Sequence, residues 1–325
     1  MATALATLRA MPSVALARHA TPVDRLDRLR RALGPDAPAL FVKRDDLLAF
    51  AMGGNKVRKL QAVLAQAAAE RADTLITCGG VQSNHCRVTA AAGAALGLRV
   101  VLVVNGQPQD RPTGNAMLDR LFGAEVRYVS SRDDRHAEMH AVADEERATG
   151  RRPYVIPLGA STAIGAAGFA RGVEELVSAG VSPTVIVHST SSGGTQAGLI
   201  AGTALFGMQT EVIGISADDP AVQLQDTVSR LLGELAGALS ASPRAVGLER
   251  PIVIHDEFVG DGYGIPTAAS REALELTART EGIVLDPVYT AKAMAGLIHM
   301  VRSGRFTADD RVLFWHTGGQ PGLFA

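Results

Sequence analysis

Strand-like and helix-like segments alternate through most of the 325-residue chain. Short apolar runs rich in Val and Ile have the length of buried strands, and the Ala-rich segments between them, such as 86–97 and 115–123, favour helices. These runs are residues 74–80, 99–105, 125–130, 184–190, 211–216 and 311–317. Such alternation is typical of parallel sheets with helices on both faces. The sequence therefore predicts an α/β fold.

A break in the alternation near "RRPYVIPLGAST" (151–162) separates two blocks of strands and helices. The length of the chain also favours two domains of ~150 residues each. We therefore expect two α/β lobes with a cleft between them. The large lobe is predicted to comprise residues 1–48 and 160–325, and the small lobe residues 49–159.

The charge balance gives no reason to expect a nucleic-acid or membrane partner. The 32 basic and 33 acidic residues nearly cancel, and no long run of either sign occurs. No apolar stretch is long enough to span a bilayer. Two cysteines without C-x-x-C spacing favour a reducing compartment. The segment "VALARHA" (14–20) resembles a signal-peptide cleavage site only faintly, so we expect a cytoplasmic protein.

Polar, glycine-rich segments follow three of the predicted strands directly. "CGGVQSNH" ends the strand at 74–80, "STSSGGTQAG" follows the strand at 184–190, and "HTGG" follows the strand at 311–317. Ligands of open parallel sheets bind outside the carboxyl ends of the strands. We therefore expect the three segments to form one site.

A lysine pair follows two adjacent glycines in "GGNKVRKL". Gly53–Gly54 is expected to end the preceding segment, with Asn55 as the N-cap of a helix. At 3.6 residues per turn, Lys56 lies in the apolar stripe, Lys59 at its edge and Arg58 on the opposite face, where it is predicted to be a surface charge. Burial and the helix dipole lower the pKa of such a lysine, as a Schiff-base amine requires. Helix geometry alone leaves open that Lys56 reaches solvent or pairs with a carboxylate.

The loop Ser192–Gly193–Gly194–Thr195 lies between a predicted strand and a predicted helix. Its backbone N–H groups and hydroxyls, together with the helix N-terminus, suit an anion. It lacks the Gly-Lys-Ser/Thr ending of a P-loop and the G-x-G-x-x-G spacing of a dinucleotide site. A monophosphate site together with a buried lysine is what pyridoxal 5'-phosphate needs.

Nearly the whole chain resembles the pyridoxal-phosphate enzymes of fold type II, closest to the subgroup of D-cysteine desulfhydrase and 1-aminocyclopropane-1-carboxylate deaminase. The resemblance is carried by "TPVDRLDRL" (21–29), "KRDD" (43–46), "GGNKVRKL", "ADTLITCGGVQSNHCR", "RPYVIPLG", "EGIVLDPVYTAKAMAGL" and "HTGG". The resemblance implies a homodimer with a fold like that of the tryptophan synthase β subunit. It also further weakens the case for a targeting peptide.

The resemblance implies cofactor-binding residues. Lys56 would hold the cofactor covalently, Lys59 would reach its phosphate beside the loop 192–195, Asn84 would bond its phenolic oxygen, and Thr317 its ring nitrogen. A hydroxyl at Thr317 bonds the nitrogen without protonating it. We hypothesise that this favours rapid β-elimination over racemisation or transamination.

The resemblance also implies substrate-binding and catalytic residues. Ser83, Asn84 and His85 would bind the substrate carboxylate, and Tyr263 and Tyr289 would lie near the reacting carbons. The base that removes the α-proton would be either Lys56 or Ser83, and the sequence leaves both open.

Two positions favour the desulfhydrase branch. Thr290 stands where the deaminases characteristically have Glu, and Thr317 where they tend to have Leu. The implied reaction is α,β-elimination on D-cysteine to pyruvate, sulfide and ammonia. The alternatives are cysteate sulfo-lyase or 1-aminocyclopropane-1-carboxylate deaminase activity and, as a non-enzyme, an inactive protein that binds the cofactor.

The chain departs from the desulfhydrase pattern in three places. It reads "GAST" (159–162) where "GGSN" is common, Cys86 follows "SNH", and the segment 105–117 is short. We expect these changes near the pocket mouth, so thiol, sulfonate, chloride and hydroxyl leaving groups and the substrate's chirality all stay open.

Other candidate residues have simpler interpretations. Cys78, His85, Cys86 and His188 lack the spacing of metal ligands, so no metal site is expected. His255 and His316 are expected to be structural, and Asp45–Asp46 to form hydrogen bonds in a loop.

Overall fold

The computed structural model describes residues 2–325, which form ten strands and eleven α-helices. The strands are β1 (Val23–Arg25), β2 (Ala39–Arg44), β3 (Thr74–Gly80), β4 (Arg99–Asn105), β5 (Glu125–Val129), β6 (Pro153–Val155), β7 (Val185–Thr190), β8 (Glu211–Ser216), β9 (Val253–His255) and β10 (Arg311–His316). The helices are α1 (Ala2–Ala10), α2 (Asp27–Leu33), α3 (Asn55–Ala69), α4 (Asn84–Leu96), α5 (Gly114–Leu121), α6 (Arg135–Ala148), α7 (Ala163–Ser178), α8 (Gly194–Leu205), α9 (Ala221–Ala238), α10 (Ala268–Glu281) and α11 (Thr290–Arg302).

Two sheets organise the chain. The larger has the strand order β1-β2-β10-β7-β8-β9, and the smaller has the order β5-β4-β3-β6. All neighbouring strands are parallel except β1 and β2, which are antiparallel. The predicted α/β class and the six predicted strands are confirmed.

The sequence analysis did not identify β1, β2, β6 and β9 as strands. Three of them are three-residue strands at sheet edges, too short to give a pattern. The fourth, β2, carries Lys43, which looks polar in sequence but is only 1% exposed because its Nζ pairs with Glu175 at 2.5 Å. The strand was missed in the sequence because a lysine that forms a buried ion pair interrupts its apolar pattern.

Helices cover both faces of each sheet and bury separate apolar cores. On the large sheet, α7, α8 and α9 pack on one face and α2, α10 and α11 on the other. On the small sheet, α3 and α4 pack on one face and α6 on the other. Every strand of the small sheet lies within 49–159 and every strand of the large sheet outside it, while the lobe boundaries themselves stay a prediction.

Helix α3 begins differently from the sequence prediction. Asn55 is its first residue, not its N-cap; the N-cap is Gly54, with φ +103°. A Cβ at Gly54 would lie 2.9 Å from the Thr317 carbonyl oxygen, so the close approach of the two segments requires glycine. The Asn55 side chain instead donates to Thr195 Oγ1 at 2.9 Å. The prediction of an Asn55 cap was therefore wrong.

The prediction that Arg58 is a surface charge was also wrong. Arg58 is 6% exposed, and its guanidinium pairs with Asp45 at 2.7 Å and with Glu175 at 2.6 Å. The helix face that carries it packs against α7, where a Cβ at Gly168 would lie 2.5 Å from the Arg58 carbonyl oxygen. Helical periodicity assigned this face to solvent because it shows no apolar side chains, whereas an ion pair is buried there.

No helix within residues 2–325 is both long and apolar enough to cross a membrane. Over the same residues, no group of three or more His, Cys, Asp or Glu side chains is placed to hold a metal ion.

Candidate active site

One cavity lies where the carboxyl ends of β3, β7 and β10 meet, and it encloses about 940 Å³ including its open mouth. The three polar segments predicted to converge do so here. The sequence-predicted residues that line it are Lys56, Ser83, Asn84, His85, Ser192, Gly193, Thr195, Tyr263, Tyr289 and Thr317. Lys59 and Gly194 do not line the cavity. Both bond Ser161 Oγ, which in turn bonds Ser192 in the cavity wall.

Lys56 is partly exposed to the cavity, and its Nζ donates to Asn55 Oδ1 at 3.1 Å. Burial and the positive charge of Arg87 lower the pKa of Lys56 to about 8, while Asp286 opposes this shift. No carboxylate among residues 2–325 lies within ion-pair distance of Lys56. The amine therefore faces the cavity and is neutral in roughly a tenth of the molecules at pH 7, far more than an ordinary lysine, as a nucleophilic lysine requires.

Lys59 is a buried lysine without an acidic partner among the described residues. It is 1% exposed, and its Nζ donates to Ser161 Oγ at 3.0 Å. Burial, and then the charge of Lys56, hold the pKa of Lys59 well below 10.5. Ser161 Oγ in turn donates to Ser192 Oγ at 2.8 Å and accepts from Gly194 N at 3.3 Å, at the first turn of α8. A lysine, two hydroxyls and a helix N-terminus together fit a phosphate group.

Helix α4 presents three consecutive predicted residues to the cavity. Ser83 is its N-cap, and its Oγ accepts from Cys86 N at 3.3 Å. His85 Nε2 bonds Thr77 Oγ1 at 2.7 Å, and that hydroxyl donates its only hydrogen to the Ile156 carbonyl. His85 is therefore protonated at Nε2 and leaves Nδ1 as an acceptor without a partner among the described residues.

The pKa of His85 lies well below 6.5, because burial and then Lys56 and Lys59 disfavour its protonation. The ring is therefore neutral near neutral pH, and its backbone N–H belongs to the first turn of α4.

Two tyrosines form one wall of the cavity. The hydroxyls of Tyr263 and Tyr289 lie 2.5 Å apart, with edge-to-face rings whose centroids are 5.8 Å apart. Burial raises the pKa of Tyr289 well above 10, with Tyr263 adding to the effect, so Tyr289 is a neutral phenol. Asp286 accepts from Tyr289 N at 2.9 Å and fixes this residue at the start of α11.

Lys292 anchors the loop that carries the other tyrosine. Its Nζ donates to the Val259 and Gly262 carbonyls at 2.7 and 2.9 Å, and Gly262 directly precedes Tyr263. The position of Tyr263 therefore depends on a buried lysine outside the cavity.

A pair of hydroxyls lies at the end of β10. Ser189 Oγ and Thr317 Oγ1 are 2.9 Å apart. His316 donates from Nε2 to the Val284 carbonyl at 3.0 Å and accepts from Gly318 N at 3.2 Å, which holds the turn after Thr317. His316 thus has a structural contact, as expected from the sequence.

Thr290 does not line the cavity. Its Oγ1 donates to Asp286 Oδ1 at 2.6 Å, and the residue is fully buried. The position at which the deaminases characteristically have Glu is therefore occupied here by a side chain turned to the carboxylate at the start of α11.

The "GAST" segment is only partly at the cavity. Gly159 lines it, whereas Ala160 and Thr162, the two letters that depart from "GGSN", do not. Ala160 has φ +49°, a conformation that suits glycine better, and Thr162 is the N-cap of α7. Cys86 is fully buried behind Ser83 and does not line the cavity either. Of the three departures, the segment 105–117 also reaches the cavity, through Asn105 alone.

Three residues that bond predicted site residues were not identified from the sequence: Ser161, Arg87 and Asp286. Lys292, which bonds the carbonyl of Gly262 next to Tyr263, was not identified either. Asp286 precedes Pro287 and a helix start, and Arg87 follows Asn84 at the i+3 spacing of one helix face. Those patterns were available in the sequence. The contact of Ser161 with Lys59 spans 102 residues and has no local signal.

Comparison with known proteins agrees with this geometry. A family model described as "Pyridoxal-phosphate dependent enzyme" matches residues 14–318. D-cysteine desulfhydrase of Salmonella typhi is 39% identical over 98% of this chain and 97% of its own, and that of Salmonella newport (strain SL254) is 40% identical with the same coverage. A crystal structure titled as an ACC deaminase homologue superposes with a TM-score of 0.91 at 34% identity, covering 100% of this chain and 97% of the other. The chain belongs to the family of pyridoxal-phosphate-dependent enzymes, with the fold of its type II members.

Proposed function

We propose that this chain is a carbon–sulfur lyase that converts D-cysteine to pyruvate, sulfide and ammonia with pyridoxal 5'-phosphate as its cofactor. The arrangement of two lysines carries the proposal. Lys56 presents an amine of lowered pKa to the cavity, and Lys59 bonds Ser161 at an anion-binding loop. The full-length similarity to D-cysteine desulfhydrases supports the substrate.

The chain's own residues would hold the cofactor at three points. Lys56 would hold it covalently, Lys59 with the loop 192–195 would bind its phosphate, and Asn84 would donate to its phenolic oxygen. When bound, the cofactor withdraws electrons from the α-carbon, which acidifies the α-proton and allows the β-substituent to leave.

Thr317 would bond the ring nitrogen by donating a hydrogen. If Ser189 donates to Thr317 at their 2.9 Å contact, the Thr317 hydrogen is free for an unprotonated nitrogen. A ring held in this way withdraws fewer electrons than a protonated one. We infer that the pair would favour elimination over racemisation or transamination, because it would leave the ring nitrogen unprotonated.

We propose Lys56 rather than Ser83 as the base that removes the α-proton. The pKa of Lys56 is about 8, close to neutral pH, where a general base is most effective. Ser83 has no basic hydrogen-bond partner among residues 2–325, and its Oγ accepts the hydrogen bond of Cys86 N that caps α4. We assign Ser83 to the substrate carboxylate, together with the backbone N–H groups of Asn84 and His85.

The two tyrosines would act at the leaving group. Tyr289 is neutral, and its hydroxyl lies 2.5 Å from that of Tyr263, so one hydroxyl donates to the other and the second keeps its hydrogen for a hydrogen bond to a departing thiolate. We propose that Asp286, by fixing the backbone of Tyr289, keeps this hydroxyl in place at the cavity.

A second candidate reaction is the elimination of sulfite from cysteate. Arg132 and Arg135 line the same cavity, and Arg132 bonds Asp219 at 3.2 Å across the cleft. The structure shows no carboxylate partner for Arg135 among residues 2–325, and its Nε donates to the Arg132 carbonyl at 2.8 Å. Its guanidinium is thus available to an anionic β-substituent.

We also infer a cytoplasmic homodimer. The two buried free cysteines support a reducing compartment, and the family resemblance supports the dimer. Light scattering after size-exclusion chromatography measures the mass directly: twice 33.9 kDa supports the dimer, and 33.9 kDa contradicts it.

The test of function is product analysis with the cofactor-loaded chain. D-cysteine, L-cysteine, cysteate and 1-aminocyclopropane-1-carboxylate are supplied separately, with Lys56→Ala as the inactive control. Equal amounts of sulfide and pyruvate from D-cysteine support the proposal. Sulfite with pyruvate from cysteate alone would favour the second candidate, and 2-oxobutanoate without a sulfur product would replace both with deaminase activity.

A further inference from the structure

Arg87 lies one helical turn after Asn84 and is fully buried. Its Nη1 donates to Asn84 Oδ1 at 2.7 Å and to Asn115 Oδ1 at 2.8 Å, and its Nη2 donates to the Gly53 carbonyl at 2.9 Å. One guanidinium therefore joins α4, α5 and the turn that begins α3. Two of these three elements carry residues of the candidate site.

This guanidinium is a charge without a counter-ion. No carboxylate among residues 2–325 lies within ion-pair distance of Arg87. Asp119 is the acidic group with the largest effect on the pKa of Arg87. Burial raises the pKa of Asp119 itself to about 8, so it is largely neutral near neutral pH. Burial lowers the pKa of Arg87 to about 10, which still leaves it cationic. An unpaired buried charge is costly to a fold, so a role beyond packing is expected for it.

The hydrogen bonds of Arg87 determine the orientation of the Asn84 amide. Asn84 Oδ1 accepts from Arg87 at 2.7 Å and from Asn115 Nδ2 at 3.0 Å. With the oxygen engaged by two donors, the Nδ2 hydrogens are what Asn84 offers to the cavity that it lines. The residue is therefore set as a donor to an oxygen acceptor.

The charge of Arg87 also acts on Lys56. Its bond to the Gly53 carbonyl holds it beside the turn that precedes Lys56. After burial, repulsion from Arg87 is the main cause that lowers the pKa of Lys56. Asp286 before α11 raises the pKa of this amine, and the charge of Lys56 in turn lowers the pKa of Lys59 on the same helix and of His85 on α4.

We propose that Arg87 is a positioning residue of this site, which presents the Asn84 amide as a hydrogen-bond donor to the cofactor oxygen and keeps a fixed positive charge beside the Lys56 amine. The proposal rests on the proposed function, since it assigns Arg87 to the same cofactor. Arg87 makes two contributions, its hydrogen bonds and its charge. Arg87→Lys removes the hydrogen bonds of the guanidinium but keeps the charge, and Arg87→Gln removes both.

The experiment compares the wild-type chain with Arg87→Lys, Arg87→Gln and Arg171→Gln. Arg171 is the matched control, because its guanidinium bonds the backbone carbonyls of Leu8, Arg9 and Met11 and does not line the cavity. Two quantities are measured. One is the affinity of the cofactor-free chain for pyridoxal 5'-phosphate. The other is the pH dependence of Lys56 acylation by a small amine-reactive reagent, located by mass spectrometry.

Arg87→Gln is expected to weaken cofactor binding roughly tenfold and to raise the pKa of Lys56 by about one pH unit, the scale of one lost neighbouring charge. Arg87→Lys keeps the charge, so it should weaken cofactor binding while the acylation profile of Lys56 stays near that of the wild type. Arg171→Gln should change neither quantity, although its melting temperature should fall.

A folded Arg87→Gln variant with wild-type cofactor affinity and an unchanged Lys56 profile would overturn the proposal. If that variant does not fold, Arg87→Lys and Asn115→Ala decide: both should weaken cofactor binding with an unchanged Lys56 profile, and wild-type affinity in both overturns it. Failure of the wild-type chain to bind the cofactor would instead contradict the proposed function.

Discussion

Each oxygen of the Asp45 carboxylate accepts a hydrogen bond of 2.7 Å from the guanidinium of Arg58. The same carboxylate accepts from Trp315 Nε1 at 2.7 Å and from Thr21 Oγ1 at 2.9 Å, and it is fully buried. Trp315 lies two residues before Thr317, and Arg58 two residues after Lys56. Asp45 therefore links the strand that precedes Thr317 to the helix that carries Lys56.

Asp45→Asn is expected to destabilise the chain by about 3–5 kcal/mol, because it leaves the Arg58 charge buried with half its counter-charge. Urea unfolding of the cofactor-free chain measures this difference. Asp27→Asn is the control, since Asp27 pairs with Arg25 at the surface and should change the stability little. A loss below 1 kcal/mol for Asp45→Asn would contradict the buried ion pair.

Lys59→Met is expected to weaken the binding of pyridoxal 5'-phosphate by roughly tenfold or more, because it removes a charged partner of the phosphate. Ser161→Ala should have a smaller effect in the same direction. Binding of pyridoxal, which lacks the phosphate, should be unchanged in both variants. Ser303→Ala, whose hydroxyl bonds the Met300 carbonyl, is the control. Equal loss of affinity for both ligands would show that Lys59 acts on the fold and not on the phosphate.

The rate at which the cofactor-free chain takes up pyridoxal 5'-phosphate should rise with pH and level off above pH 8. Burial and Arg87 lower the pKa of Lys56 from 10.5 to about 8, so the reactive neutral amine increases as the pH passes through that value. Below it, the rate should fall about tenfold per pH unit. Stopped-flow absorbance at several pH values measures this dependence. A rate that keeps rising to pH 10 would show an ordinary lysine pKa.

Thr317→Asp should slow elimination and increase side reactions of the substrate. A carboxylate at this position would keep the ring nitrogen protonated, which strengthens electron withdrawal and prolongs the life of the carbanion. The measurement is the ratio of pyruvate to racemised or transaminated amino acid, with Thr317→Ser as the control that retains the hydroxyl. An unchanged rate and product ratio in Thr317→Asp would remove the proposed role of the hydroxyl.

The strands that carry the site residues at their ends were predictable, because buried parallel strands are short apolar runs. The polar segments were also predictable, because each directly follows its strand in the sequence. The convergence of "SNH", "SSGGT" and "HTGG" on one cavity followed from the rule for parallel sheets. Lys56 was identifiable because a charged residue interrupts an apolar stripe. Periodicity alone left open that Lys56 reaches solvent or pairs with a carboxylate, and its role, like those of Asn84 and Thr317, was implied by the family resemblance.

The errors concern residues whose role depends on distant partners. Arg58 was assigned to the surface because periodicity does not show that α7 carries Glu175, 117 residues away. Asn55 was assigned as a cap because the approach of Thr317 to Gly54 is a tertiary contact. Ser161 and Arg87 bond to groups on other elements, so their contribution to the site became visible only in the folded chain.

Reduction of the cofactor-loaded chain with borohydride, followed by peptide mapping, tests the assignment of Lys56 most directly. The chain contains four lysines, Lys43, Lys56, Lys59 and Lys292, so the position of a reduced pyridoxyl group is unambiguous. We predict that the group is found on Lys56 alone and is lost in Lys56→Ala. A pyridoxyl group on Lys59, or none on any lysine, would contradict the account of this site.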